Sequence, residues 1–121
     1  MMVPEKPANM KYTVSLKGSR SFRRMYAKGK SAACGAVVLY CRRNGAGENR
    51  LGLTVGTKVG KAVRRNLVRR RLREIYRLHE GSFRKGWDIV VVARTRAAEA
   101  AYRELEADFL RAAARLGLTM P

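Results

Sequence analysis

The chain has 121 residues, with 27 Lys+Arg against 9 Asp+Glu, a net charge of +18 and a pI near 11.2. That length allows one domain with a modest core, and 46% apolar residues exclude a disordered basic tail. No apolar run approaches the roughly 20 residues of a membrane-spanning helix, and no signal-peptide core opens the chain, so a cytoplasmic protein is expected, its self-repulsion offset by a polyanion that releases counterions on binding.

In chain order, residues 1–10 are rich in Met, Pro and Ala and read as a disordered tail, 11–117 as a single folded domain and 118–121 as a C-terminal tail. Residues 11–18 lead into a short first helix, with Ser19 or Ser21 as its cap and Gly29 at its end. Phe22 and Tyr26 stand four apart on it and share a face. Residues 36–41 are β-branched and aromatic and predict a strand, with a short extra strand near 30–33. Asn44-Gly45 and Gly47 signal a loop or hairpin. Residues 51–56 alternate large apolar with small side chains, a half-buried strand whose other face carries only Gly52, Thr54 and Gly56. Something can approach the backbone closely there.

Residues 59–79 predict a long helix without internal Gly or Pro, and Gly81 and Gly86 bracket the next turn. Residues 87–93 are apolar enough for a central strand. Residues 97–116 predict a last helix with Tyr102, Leu105, Phe109, Ala112 and Leu116 as its core stripe. The order gives an α+β domain, one sheet with helices packed on it. Cys34 and Cys41 lie in an apolar segment without a CxxC pair and read as buried thiols. A single histidine and no cysteine cluster argue against a zinc site.

Residues 61–77 read KAVRRNLVRRRLREIYR, eight basic side chains and one acid, Glu74. At about 100° per residue, Val68, Leu72, Ile75, Tyr76 and His79 form a core-facing stripe. Arg65, Asn66, Arg69, Arg70, Arg73 and Arg77 sweep the adjoining face, and Arg64 and Arg71 the other flank. Val63 and Leu67 lie off the stripe and are expected to pack on the loop before the helix. Most charge runs are solvated faces, but those mix signs to gain i,i+4 pairs. This helix stacks like charges and uses seven Arg to one Lys, the choice for forked contacts to phosphate. A calmodulin-type or membrane-surface helix would need bulky apolar residues on an exposed face, and here the apolar stripe serves the core. Residues 56–62 resemble the end of a phosphate-binding loop, but three residues separate the glycines and Ala62 replaces the Mg²⁺-ligating hydroxyl, which excludes a nucleotide P-loop. The helix N-terminus and Lys58 still offer a local anion site.

These residues carry a resemblance. Leu51-Gly52-Leu53-Thr54-Val55, Val59-Gly60-Lys61-Ala62-Val63-Arg64-Arg65-Asn66 and then Arg69-Arg70-x-x-Arg73-Glu74 resemble the protein subunit of bacterial ribonuclease P. The upstream Phe22-x-x-x-Tyr26-x-x-Gly29, the strand ending in Tyr40 and the late strand at 88–94 match as well, so the likeness spans residues 15–115. It implies a two-layer α/β sandwich in the order α-β-β-β-α-β-α, like the second domain of ribosomal protein S5, with a left-handed βαβ crossover. It also implies binding to a large catalytic RNA, Mg²⁺-dependent removal of the 5′ leader from precursor tRNA, and catalytic metals held mainly by the RNA. By the same resemblance Lys58, Lys61, Arg64, Arg65, Asn66, Arg69, Arg70 and Arg73 contact the catalytic RNA, and Phe22, Tyr26 and Tyr40 line the groove for the single-stranded leader. Leu67 departs from the family pattern, which has Arg there; Arg64 and Arg71 are the replacement charge at hand. From the residues alone, Phe22 and Tyr26 read either as core or as a stacking surface among Arg20, Arg23, Arg24 and Lys28.

No protein catalytic residue, protein-bound metal, membrane contact or obligate protein partner is expected. The acids are scattered, Glu104 and Asp108 read as a solvated face, and His79 as a packing residue. Two rival readings are a ribosomal or ribosome-assembly protein of the same fold, which leaves the aromatic cleft unexplained, and a metal-dependent nuclease acting alone.

Overall fold

The computed structural model describes residues 10–120. Its elements are β1 (Thr13–Ser15), α1 (Ser19–Lys28), β2 (Lys30–Cys34), β3 (Val37–Arg43), β4 (Asn49–Val55), α2 (Ala62–His79), β5 (Trp87–Ala93) and α3 (Tyr102–Arg115). Short 3-10 turns occupy Thr57–Val59, Glu80–Ser82 and Thr95–Ala98. The α+β reading holds, with a short additional strand, β1, ahead of α1. The long helix begins at Ala62 rather than at 59 because Gly60 (φ 149°) breaks the chain's direction after the first 3-10 turn. The last helix likewise starts at Tyr102, after a separate turn. Gly18 (φ 94°), not a serine, occupies the N-cap of α1, and neither Ser19 nor Ser21 caps it.

The five strands run in the spatial order β1-β4-β5-β3-β2. β1, β4 and β5 are mutually parallel neighbours, while β3 pairs antiparallel with both β5 and β2. β4 and β5 thus form a βαβ unit through α2. The Asn44-Gly45 signal does not make a hairpin, because β5, the most apolar strand, lies between β3 and β4. The 44–47 loop instead crosses the end of β5, where Asn44 N–H donates to Gly86 O at 2.9 Å and Ala46 N–H to Asn44 Oδ1 at 2.7 Å.

One face of the sheet is covered by α2 and α3. Val37, Leu39, Cys41, Leu51, Val55, Ile89 and Val91 point into it and meet Val68, Leu72, Ile75 and Tyr76 of α2 and Leu105, Phe109 and Ala112 of α3, all buried. Tyr76, Phe83 and Phe109 pack with ring centroids 5.0–6.5 Å apart. The helical spacing of both apolar stripes accounts for this layer. Val63 does not pack as expected: it is 84% exposed, and Leu67 is half-buried. Both border a groove between α2 and the segment ahead of α3, beside Ala98 and Glu99.

A buried polar cluster pins β1 to this layer. Glu80, 3% exposed, accepts the backbone N–H groups of Lys11 (2.8 Å) and Tyr12 (3.1 Å) and the Thr13 hydroxyl (2.6 Å). Since the Thr13 proton goes to Glu80, the Tyr76 hydroxyl donates to Thr13 Oγ1 at 2.7 Å and accepts from Asn49 Nδ2 at 3.1 Å. Burial pushes the Glu80 carboxyl up, but the donors from Lys11, Thr13 and Tyr12 outweigh it and hold the group below the ordinary glutamate range. Burial drives the Tyr76 phenol up to about 12.

The described ends differ from the tails expected. Met10 is buried in the core, as is Leu118. Thr119 bridges to Phe83, and Met120 N–H donates to Ser82 O at 2.7 Å, so residues 118–120 pack as part of the domain. The remainder of the N-terminal tail reading, residues 1–9, lies outside the described residues.

Candidate nucleic-acid interface

Among the described residues, the other face of the sheet is covered only by α1, whose 10 residues span about 15 Å. Three cross-strand rows make its floor: Arg50–Asp88–Arg42, Gly52–Val90–Tyr40 and Thr54–Val92–Val38. Met25 of α1 plugs the middle with Leu16 and Val90, and Phe22, Tyr40 and Val92 pack around that plug while half-exposed. The sequence left open whether Phe22 and Tyr26 are core or stacking surface. They are neither wholly: Tyr26 is 41% exposed, and Phe22 and Tyr40 each keep a solvent-facing edge.

The three aromatics stand together. The Tyr26 and Tyr40 rings meet edge-on at 5.1 Å, with Phe22 6.5 Å from Tyr26. The Tyr26 hydroxyl and Thr54 Oγ1, 2.7 Å apart, tie α1 to β4. The small side chains of β4 explain how α1 gets so close. A Cβ at Gly52 would stand 2.6 Å from Phe22 Cζ, so the Phe22 ring rests directly on the strand backbone. The approach to that backbone anticipated from the Gly-Thr-Gly face is made by Phe22.

The basic residues of α2 wrap around the sheet's edge. Lys58 lies in the 3-10 turn and Lys61 at the helix N-cap, both exposed, followed by exposed Arg64, Asn66, Arg70 and Arg73. Asn66 Oδ1 accepts from Arg69 Nη1 at 2.8 Å and fixes that guanidinium. Arg65 is half-buried, and its Nε is shielded from solvent without a hydrogen-bond partner among the described residues. Such a donor is costly until an acceptor reaches it. Two basic side chains of the run are committed elsewhere: Arg77 forks onto Glu74 (2.8 and 2.6 Å), and Arg71 reaches Ala100 O at 3.4 Å. The Arg77 contact also holds the Glu74 carboxyl below its ordinary range.

Arg69 and Arg73 line the same depression, about 150 Å³, as Phe22, Leu16 and Gly52. The basic helix and the aromatic cleft, far apart in sequence, are therefore one continuous surface. Arg64 faces the other way, toward a groove shared with Leu67, Val63 and Glu99.

Residues 10–117 match the family model described as Ribonuclease P. The chain belongs to the ribonuclease P protein family. It is 41% identical to the ribonuclease P protein component of Natranaerobius thermophilus over 102 residues, 84% of this chain and 89% of that protein. Against the component from Alkaliphilus oremlandii it is 39% identical over 109 residues, 90% of this chain and 96% of that protein. Among solved structures, the Staphylococcus aureus RNase P protein superposes with a TM-score of 0.80 at 29% identity, covering 91% of this chain and 99% of that one. The Thermotoga maritima RNase P protein superposes with a TM-score of 0.74 at 35% identity, covering 80% and 92%. As a ribonuclease P protein component the chain is a subunit of the ribonucleoprotein that processes tRNA 5′ ends, and it takes part in that endoribonuclease activity.

Asp108 is more than a solvated acid: its Oδ2 accepts Ala36 N–H at 2.9 Å and closes the β2–β3 turn. Glu104 accepts Ala101 N–H at 3.3 Å at the start of α3. His79 is half-buried and pairs with Glu106 at 2.9 Å. Among the described residues no group of three or more His, Cys, Asp and Glu stands close enough to hold a metal ion, and no helix is long and apolar enough to cross a membrane.

Proposed function

We propose that this ribonuclease P protein grips the catalytic RNA with Lys58, Lys61, Arg64, Arg65, Asn66, Arg69, Arg70 and Arg73, and holds the single-stranded 5′ leader of precursor tRNA against Phe22, Tyr26 and Tyr40. The observation that carries this reading is the shared depression in which Arg69 and Arg73 meet Phe22. From Arg69 and Arg73 that RNA surface would run into the cleft without a break, with Arg64 meeting the catalytic RNA from the opposite flank of the helix, so the protein can bind both RNAs at their junction and fix the leader relative to the catalytic RNA. The exposed cations Lys58, Lys61, Arg70 and Arg73 support the helix assignment, because their charged ends are open to phosphate oxygens. Half-exposed aromatics in a basic cleft suit unstacked bases.

In this reading the chemistry resides in the RNA, and Mg²⁺ is held there. A surface this rich in guanidinium groups repels a divalent cation and attracts the phosphates that hold one. The protein contributes charge and position in the cytoplasm, and no side chain of it acts as acid, base or nucleophile. Reconstitution tests the reading. Adding the protein to the catalytic RNA at low Mg²⁺ should restore leader cleavage, and RNA-free protein should cleave nothing. No stimulation, or cleavage by the protein alone, would overturn it.

A further inference from the structure

The charged row of the sheet floor is not used by the aromatic cleft. Arg50, Asp88 and Arg42 stand side by side on β4, β5 and β3. Both contacts to Asp88 fall on one oxygen: Arg50 Nε lies 2.8 Å from its Oδ1, and Asn44 Nδ2 donates to the same oxygen at 3.0 Å. Asn44 is held in turn through Glu48 O at 3.1 Å. Asp88 thus pairs with Arg50, and as the one acid of the row it cannot balance both of its arginine neighbours. Arg24 comes over the same spot from α1. Neither Arg24 nor Arg42 has an ion pair or hydrogen-bond partner among the described residues. With Ser21 and Met25 these groups enclose a mainly polar pocket of about 240 Å³. In a chain of net charge +18, two unpaired guanidinium groups converging on one pocket repel each other. An oxyanion between them removes that repulsion and gives each fork an acceptor.

The pocket's place selects the source of the anion. Tyr40 and Arg42 are two residues apart on β3 and project from the same face, about 7 Å apart. Met25 belongs both to the plug beneath the aromatics and to the pocket wall. A strand of RNA with a base against Tyr40 therefore reaches the pocket with a neighbouring backbone group. We infer that Arg24 and Arg42, braced by the Arg50–Asp88 pair, form a phosphate-binding pocket that takes a phosphodiester of the leader next to the nucleotide stacked in the aromatic cleft. This rests on the leader assignment made above and adds to it a charged contact that reads the backbone and not the base.

Both arginines are partly or fully solvent-exposed and unpaired, so Arg24→Ala and Arg42→Ala should fold as the parent does. The test uses the reconstituted holoenzyme with precursor tRNAs in which each leader phosphate in turn is replaced by a neutral methylphosphonate. In the parent, one substitution should weaken precursor binding about three- to tenfold. The Arg42→Ala variant should lose a similar amount with the unmodified precursor and nothing further with that same neutral linkage. Mature tRNA binding should not change in either variant. Equal further losses in parent and variant at every position would overturn the pocket, as would a loss of catalytic-RNA or mature-tRNA binding in Arg42→Ala, which would assign the phosphate to another source. Tyr40→Ala run in parallel separates the two claims. If it removes precursor preference while no neutral linkage matters, the cleft stands and the pocket falls. If it changes nothing, the leader assignment itself falls.

Discussion

On one face of the sheet, Ile89 and Val91 of β5 are fully buried beneath α2 and α3. On the other, Val90 is sealed by Met25 and Leu16, but Val92, Val38 and Thr54 one row further on are half-exposed. The same central strand therefore supports a closed core on one side and an open floor on the other. A short α1 cannot cover a five-stranded sheet, and the aromatic side chains it carries are left at the boundary. The closed face supplies stability; the open face has aromatic edges and cations available to a ligand.

The comparison can be broken first on the closed side. Phe109→Ala should destabilise the fold by about 3–5 kcal/mol, read by urea unfolding, while the RNA affinity of the molecules that remain folded stays unchanged. Glu80→Gln comes next, at about 2–3 kcal/mol near neutral pH, because buried donors from Lys11, Tyr12 and Thr13 lose a charged acceptor. The pH dependence has a definite sign. The folded Glu80 carboxyl lies below its unfolded value of about 4.3, so its contribution is complete above that value and is lost as pH falls through the folded pKa. The stability gap between parent and Glu80→Gln should shrink only in that acid window. A gap that is constant from pH 7 to pH 3 would remove the ionised network.

On the open side the stability effects are smaller and the binding effects larger. Gly52→Ala forces the Phe22 ring off β4, which should cost about 1–2 kcal/mol and weaken precursor tRNA binding more than mature tRNA binding. Arg65→Ala, Arg69→Ala and Arg70→Ala should each change stability by less than about 0.5 kcal/mol. Each should also lower the salt slope of catalytic-RNA binding by about one phosphate contact. An unchanged slope in all three would show that the helix is not the RNA-binding face.

Much of this difference was legible in the sequence. Strict helical spacing exposed the core stripes of α2 and α3, and unbroken apolar content marked β5 as central. The i,i+4 spacing of Phe22 and Tyr26 correctly put them together. What was hidden depends on partners distant in the chain. β1 is only three residues long and exists because β4 and Glu80 receive it. The Asn44-Gly45 turn signal is local, whereas the insertion of β5 between β3 and β4 is not. Val63 is apolar enough to pack, yet it lies 84% exposed beside an open groove. The meeting of Arg69 and Arg73 with Phe22 required the sheet to bring two helices, one ending at Lys28 and the other beginning at Ala62, to one edge. A signal for Glu80 did exist: a carboxylate at a helix C-terminus opposes the helix dipole, and its retention there points to other partners.

The division between a closed face and an open, RNA-holding face is tested most directly by the ratio of precursor to mature tRNA affinity, measured for the reconstituted holoenzyme with the parent protein and with Tyr40→Ala. The ratio should fall toward one in Tyr40→Ala, with mature tRNA affinity and the unfolding midpoint nearly unchanged. A folded Tyr40→Ala protein that keeps the parent ratio would contradict the assignment of the leader to this face.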